Sequence, residues 1–369
     1  MNNVKFNYIE ASFLIVIVMI THIITDLPNT IIEDCSTASI LNTLFIFIIV
    51  IIYFFIIYKL FTPFENGNIL NVSEFVGGKG FKKFISLIYI FYLIFVAGLL
   101  LRDFAETLNL IYFPNAQTFT IILSFILVAL FSNIKDSTSI IKLNTLIVPQ
   151  ILVSIIIVFI SSIYNFNYNS IFPLFGNGIK HTFLSGSKNI YAFAGLSYIY
   201  LIRPNLKNSN DFKKVGIISI IISGLYLLFS VSSILMLFPY QIAGKETLSM
   251  YLSTRTVEFG RFLQRSDAFF MFIWIFTFLS YLSVIIFYLK KLSKDGLGLV
   301  NKKSPQLYIF SLLIFIVALI PQNYNQIDFL KHYVYKYLSL FIIYGFCFLI
   351  LIIGYFKKKR SLKWNLLKF

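Results

Sequence analysis

Thr21 and Thr25 lie one helical turn apart in the stretch Thr21-His22-Ile23-Ile24-Thr25-Asp26-Leu27-Pro28, so two hydroxyls share one face of an otherwise apolar segment. Hydroxyls, an imidazole and a carboxylate are costly inside such a run, and they commonly mark the path of a substrate or ion. A helix interrupted here would turn free backbone N–H and C=O groups toward a small polar ligand. The competing reading makes His22 and Asp26 the polar end of an ordinary helix. A second stretch, Gly186-Ser187-Lys188-Asn189-Ile190-Tyr191-Ala192-Phe193-Ala194-Gly195-Leu196-Ser197-Tyr198, carries small residues from Ala192 to Gly195, Phe193 apart. Gly195 in its middle allows the helix to unwind or another helix to approach closely. Plain small-residue packing is the alternative.

Three further features carry polar chemistry. Arg102 and Glu106 are four apart beside Asp103, a spacing that pairs charges on one helix face and reads as a structural ion pair. Ser280 and Ser283 could coordinate a cation, although serines in membrane helices more often bond their own backbone. Between Tyr251 and Asp267, the charges of Arg255, Glu258, Arg261 and Arg265 recur every three or four residues. They form one face of a helix whose other face holds Leu252, Phe259, Phe262 and Leu263. Such a helix lies on a membrane or on a partner. A docking surface and a solvated amphipathic cover both fit.

No enzyme constellation is present. None of the three histidines has a second ligand or a nucleophile at useful spacing, and there is no glycine-rich phosphate loop. No metal or cofactor is expected. Cys35 and Cys347 read as unpaired structural thiols.

The elements that position these groups follow from composition. The 369 residues are 58% hydrophobic and 12% charged, with a mean hydropathy of +0.84. So much apolar surface cannot be enclosed by one soluble core with a solvated shell. Lipid is the natural solvent for the excess. The net charge of +16 does not indicate nucleic acid, because the cations sit in short clusters between apolar runs. A bilayer core needs about 20 apolar residues per helix. Ten spans are read near 8–28, 40–61, 84–108, 117–132, 143–164, 185–203, 214–238, 268–290, 305–321 and 334–356, the fourth and ninth being short. The run 13–24 lacks a small-x-small cleavage site and reads as the first span.

With the N-terminus inside, Arg102, Lys180, Lys188, Lys245, Arg255, Arg261, Arg265, Lys331 and Lys336 fall outside, and the other 22 of the 31 basic residues fall inside. That split places both termini in the cytoplasm. The longest loops, about 165–184 and 239–267, are external, and the basic tail 357–369 is expected on the inner leaflet. The whole chain is one transmembrane domain. Span one opens a first set of five helices (about 8–164) and span six opens a second (about 185–356), which gives two inverted halves with interrupted helices in matching places.

The stretch Arg261-Phe-Leu-Gln-Arg265-Ser-Asp267-Ala-Phe-Phe-Met-Phe-Ile-Trp274, the stretch Phe172-Pro173-Leu174-Phe175-Gly176 and the run from Gly195 to Pro204 resemble the spore germination permease family. That family lies within the amino acid–polyamine–organocation superfamily, and the resemblance covers essentially the whole chain. It implies the permease-like B subunit of a germinant receptor in the spore inner membrane. Such a subunit senses a small nutrient, often an amino acid, and works beside an A subunit and a lipoprotein C subunit. By the resemblance, Thr21, Thr25, Tyr191, Phe193, Ala194, Gly195 and Tyr198 line the ligand pocket. The span-one break lacks the glycine found in many relatives, so a backbone cradle for a carboxylate is less assured there. A secondary amino-acid transporter and a ligand-gated water or ion conduit are the competing functions.

Overall fold

The computed structural model describes residues 5–25, 27–135, 137–245, 249–255, 266–299 and 305–366. Every regular element among them is helical. This follows from the solvent: lipid offers no hydrogen bonds, so each spanning segment must satisfy its backbone within itself. Seven helices are long and apolar enough to cross a membrane, covering 8–25, 27–61, 69–111, 140–165, 209–237, 270–295 and 324–361. The shorter apolar helices Thr118–Ile134 and Gln306–Leu319 coincide with expected spans four and nine. Expected span six is a 3-10 helix, Ser185–Tyr198, continued by the α-helical turn Ile199–Ile202. The chain is an all-helical, multi-pass membrane protein.

Span three begins earlier than its apolar run. A helix starts at Ile69, capped by Asn68, whose side chain accepts from the Leu70 and Asn71 amides while the Asn71 side chain accepts from the Asn68 amide. Gly78, at φ +77°, then redirects the chain into the span.

A series of contacts places both described chain ends at one end of the bundle. The Phe6 amide donates to the Asn205 carbonyl at 2.7 Å. Arg203 donates to the Phe61 and Phe64 carbonyls at 2.6 and 2.7 Å. Lys357 donates to the Phe75 and Val76 carbonyls at 3.1 and 3.0 Å. The opposite end holds the short helix Leu27–Cys35 and the segment 165–184, joined where Thr37 donates to the Pro173 carbonyl at 2.6 Å.

Span one (Tyr8–Thr25) is the axis of the bundle, with 14 of its 18 residues buried. It packs against spans five, six, seven and eight. Spans one and six, two and seven, three and eight, and four and nine each touch one another. Much of the neighbour pattern survives exchange of each span with the one five further on. One packs on seven as two packs on six, three on nine as eight on four, and three on ten as eight on five.

Candidate ligand-binding site

Three helices meet here, and two of them depart from α geometry. The first is span one, whose described helix Tyr8–Thr25 is followed by the helix Leu27–Cys35; Asp26 lies outside the described residues. Thr21 donates to the Ile17 carbonyl and Thr25 to the His22 carbonyl, both at 2.7 Å. Each hydroxyl thus satisfies backbone of its own helix, which is the usual resting state for such groups in apolar surroundings. His22 is buried, and both ring nitrogens are engaged. Nδ1 is hydrogen-bonded to the Tyr335 hydroxyl, and Nε2 lies 3.3 Å from the Tyr281 hydroxyl. The imidazole stands edge-on to both rings, at 5.6 and 5.5 Å between centroids. A neutral imidazole has one donor and one acceptor, so one tyrosine accepts from the ring and the other donates to it.

The second is span six. A 3-10 helix is narrower than an α-helix and aligns every third side chain. Phe193 leaves helical geometry altogether, at φ −96° and ψ 31°. A Cβ on Gly195 would stand 2.4 Å from Met19 Cγ and 3.2 Å from the Met19 nitrogen, so the backbones of spans one and six are in direct contact. Tyr191 meets Tyr335 edge-on at 5.9 Å. Phe193 is stacked with Phe47 of span two at 6.3 Å. Tyr198 meets Tyr288 of span eight edge-on at 4.7 Å. Among the described residues the buried hydroxyls of Tyr198 and Tyr288 have no hydrogen-bond partner, a state that costs about 1–3 kcal/mol per group and favours a polar occupant beside them.

The third is span ten, which composition and spacing did not single out. Residues Leu330–Tyr335 and Leu340–Phe346 are π-helical. Such widened turns are rare and concentrate at functional sites. Here they turn several polar side chains of span ten into the bundle. Lys331 Nζ lies 3.2 Å from Asp103 Oδ2, with both side chains 5% exposed. Lys336 Nζ lies 2.7 Å from Asp34 Oδ2, and the other oxygen of Asp34 is 3.3 Å from Lys188 Nζ. The Lys336 ammonium also stands 5.2 Å above the Tyr191 ring. Ser339 pairs with Tyr92 of span three at 3.1 Å. The Ile343 carbonyl accepts from both Tyr53 and Tyr200, at 2.8 and 3.0 Å. The spacing of Lys331, Tyr335 and Ser339, four apart each, is the sequence signal that could have found this face.

All seven expected pocket residues are buried. Tyr191 and Gly195 lie at the meeting of spans one, six and ten; Ala194 is buried beside Gly195. Thr21 and Thr25 bond their own helix, Phe193 contacts span two and Tyr198 contacts span eight. The ion pair expected of Arg102 and Glu106 is present at 2.7 Å. Ser280 bonds Asn144, and Ser283 donates to the Leu279 carbonyl, so both hydroxyls are used within the protein. Arg255, in the short helix Ser249–Arg255, has its guanidinium 6.0 Å from the Tyr251 ring centre. Asp267 accepts from Tyr251 at 3.0 Å. Glu258, Arg261 and Arg265 lie outside the described residues. Cys35 and Cys347 are free and buried.

Comparison with known proteins agrees with this architecture. The profile of the spore permease family, described as spore germination protein, matches residues 5–327. Spore germination protein YndE of Bacillus subtilis (strain 168) is 22% identical over 359 residues, covering 96% of this chain and 98% of its own. Spore germination protein GerQB of Bacillus cereus is 22% identical over 313 residues, covering 81% of this chain and 84% of its own. Spore germination protein KB of Bacillus subtilis (strain 168) is 22% identical over 227 residues and covers 60% of each chain. With an all-helical membrane bundle and a family match across most of its length, this chain belongs to the spore germination protein family of permease-like membrane proteins.

Proposed function

We propose that this chain is the permease-like membrane subunit of a bacterial spore germinant receptor, which binds a small nutrient, an amino acid, and so triggers germination. The observation that carries this reading is the cradle around His22. There the Thr21–Thr25 stretch of span one meets two distorted helices, the 3-10 helix of span six and the π-helical part of span ten, around an imidazole held by Tyr281 and Tyr335. Distorted helices at such a meeting point expose polar backbone to a ligand. Thr21, Thr25, Tyr191, Phe193, Ala194, Gly195 and Tyr198 surround the pocket in this reading. Two inverted halves, about 8–164 and 185–356, are supported by the neighbour pattern that survives exchange of spans.

The ligand acts by favouring one arrangement of the bundle, in proportion to its differential affinity for the two. The bias passes to an A subunit and a lipoprotein C subunit, with the outer segment around Arg255, Glu258, Arg261, Arg265 and Asp267 as a docking surface. The chain resides in the spore inner membrane with both termini in the cytoplasm, a placement supported by the distribution of basic residues and by the two ends sharing one end of the bundle. Deletion of the gene tests the reading. Spores lacking it lose their response to at least one nutrient and regain it with the intact gene; an undiminished response to every nutrient refutes the proposal.

A second reading, a secondary amino-acid transporter, is favoured by the same exchange pattern, since inverted halves are a transporter architecture. Saturable counterflow of labelled amino acid in proteoliposomes separates the two.

A further inference from the structure

Asp34, Lys188 and Lys336 form a cluster that the resting protein does not balance. One carboxylate is shared by two ammonium groups: Oδ1 is 3.3 Å from Lys188 and Oδ2 is 2.7 Å from Lys336. Lys336 is 4% exposed, so its charge sits in a poorly solvated place where compensation matters. Among the described residues no second carboxylate reaches either lysine, and the neighbouring Glu33 is exposed and forms no ion pair. The cluster therefore carries one positive charge in excess. It is also continuous with the site above, because Lys336 covers the Tyr191 ring and Tyr191 abuts Tyr335, the partner of His22.

We infer that Lys188 and Lys336 form the subsite for the ligand's carboxylate, and that Asp34 is an internal stand-in which the ligand displaces, in part or wholly. The inference rests on the ligand-binding reading above and names the chemistry that the site selects: a small organic acid such as a zwitterionic amino acid, rather than a neutral nucleoside or sugar. The geometry of the stand-in is the argument for a carboxylate. The two lysines already hold one in a two-point bridge, one oxygen to each ammonium, on the outer face of the Tyr191 ring. An incoming carboxylate supplies the charge that one aspartate cannot. Its gain is largest at Lys336, where water competes least. Lys188, at 36% exposure, is the accessible arm of the bridge and the first to be exchanged. Asp34 keeps the bridge closed in the absence of ligand and sets a threshold on affinity, since each ligand must compete with a carboxylate that is always present.

The test measures the ligand-induced rise in unfolding temperature of the full chain, purified in detergent. Three probes are used: a mixture of the proteinogenic L-amino acids, the matching mixture of their primary carboxamides, and a mixture of nucleosides and hexoses. The expected result is stabilisation by the acids and none of comparable size by the amides. Lys188→Gln should weaken apparent affinity for the acids about tenfold and abolish discrimination against the amides, the scale of a lost charge pair at a binding site. Lys188 is partly solvated, so this variant keeps the fold. Asp34→Asn should act in the opposite direction, strengthening acid binding severalfold while leaving amides unaffected, which a merely structural role does not produce. Amides that stabilise as well as acids overturn the subsite, as does weaker acid binding in Asp34→Asn. Stabilisation by nucleosides or hexoses alone overturns it, and the amino-acid assignment with it, while leaving nutrient binding by this chain intact. Stabilisation by none of the three mixtures overturns both.

Discussion

Gly195→Ala adds a single methyl group at the closest approach of spans one and six. The new carbon would stand 2.4 Å from Met19 Cγ, 3.2 Å from the Met19 nitrogen and 3.4 Å from its Cα. Ordinary carbon contacts lie at about 3.5–4.0 Å. The methionine side chain must therefore retreat by more than about 1 Å, and the backbone by a few tenths of an ångström. Met19 is adaptable as a side chain, but span one is almost wholly buried and has no free direction in which to move as a helix. Overpacking of this kind costs about 1–3 kcal/mol. If the liganded arrangement requires spans one and six at their present separation, that cost becomes a roughly 5–150-fold shift in the ligand concentration needed for response. Spores carrying each allele are scored for the half-maximal nutrient concentration, with membrane abundance measured in parallel. Met19→Ala in the same chain removes the Cγ that is struck and should restore part of the response. An unchanged concentration dependence for Gly195→Ala at normal abundance refutes the reasoning. So does a defect that Met19→Ala fails to relieve.

Three further outcomes follow from buried polar contacts. Asp103→Asn and Lys331→Met should each destabilise the purified protein by about 3–5 kcal/mol, because each removes one side of a buried ion pair, whereas Asp103→Leu combined with Lys331→Met should recover part of the loss; thermal unfolding in detergent measures all three. Tyr335→Phe deletes the hydroxyl bonded to His22 Nδ1 and should cost about 1–3 kcal/mol and raise the nutrient threshold, while Tyr333→Phe, on an exposed ring of the same helix, should change neither. Lys357→Ala removes the donor to the Phe75 and Val76 carbonyls, and should speed hydrogen exchange in residues 69–77 at a cost of at most about 1 kcal/mol, with exchange around His22 unchanged.

The sequence revealed the membrane class and the span positions because hydrocarbon thickness imposes a length that no other residue pattern mimics. It also drew attention to Gly195, since a glycine amid small residues in an apolar run marks either a close helix approach or a local unwinding. What it concealed depends on partners far away in the chain. Lys331 and Lys336 count as outer loop cations in a charge tally, yet both are buried, and their partners Asp103 and Asp34 lie more than 200 residues away. Removing them from the outer total sharpens the asymmetry that oriented the chain. His22 looked like an isolated histidine because its partners, Tyr281 and Tyr335, sit on spans eight and ten. The helix at Ile69 escaped an apolar-run criterion because Glu74, Lys79, Lys82 and Lys83 interrupt the hydrophobicity across it. The 3-10 and π geometries leave almost no composition signal, since they arise from packing and not from local propensity.

The widened turns of span ten give the helix a residue to spare. A π turn holds one residue more than an α turn, so removing one residue between 340 and 346 lets that segment relax to regular α geometry. The shortened α segment sweeps about the same angle as the π segment it replaces, so the faces on either side keep their directions. Lys331, Tyr335 and Lys336 would stay against Asp103, His22 and Asp34, and the inner segment from Cys347 onward would keep its seat on span three. The same deletion in the α-helical turns after Cys347 has no slack to draw on and would rotate one half of the helix against the other by about 100°.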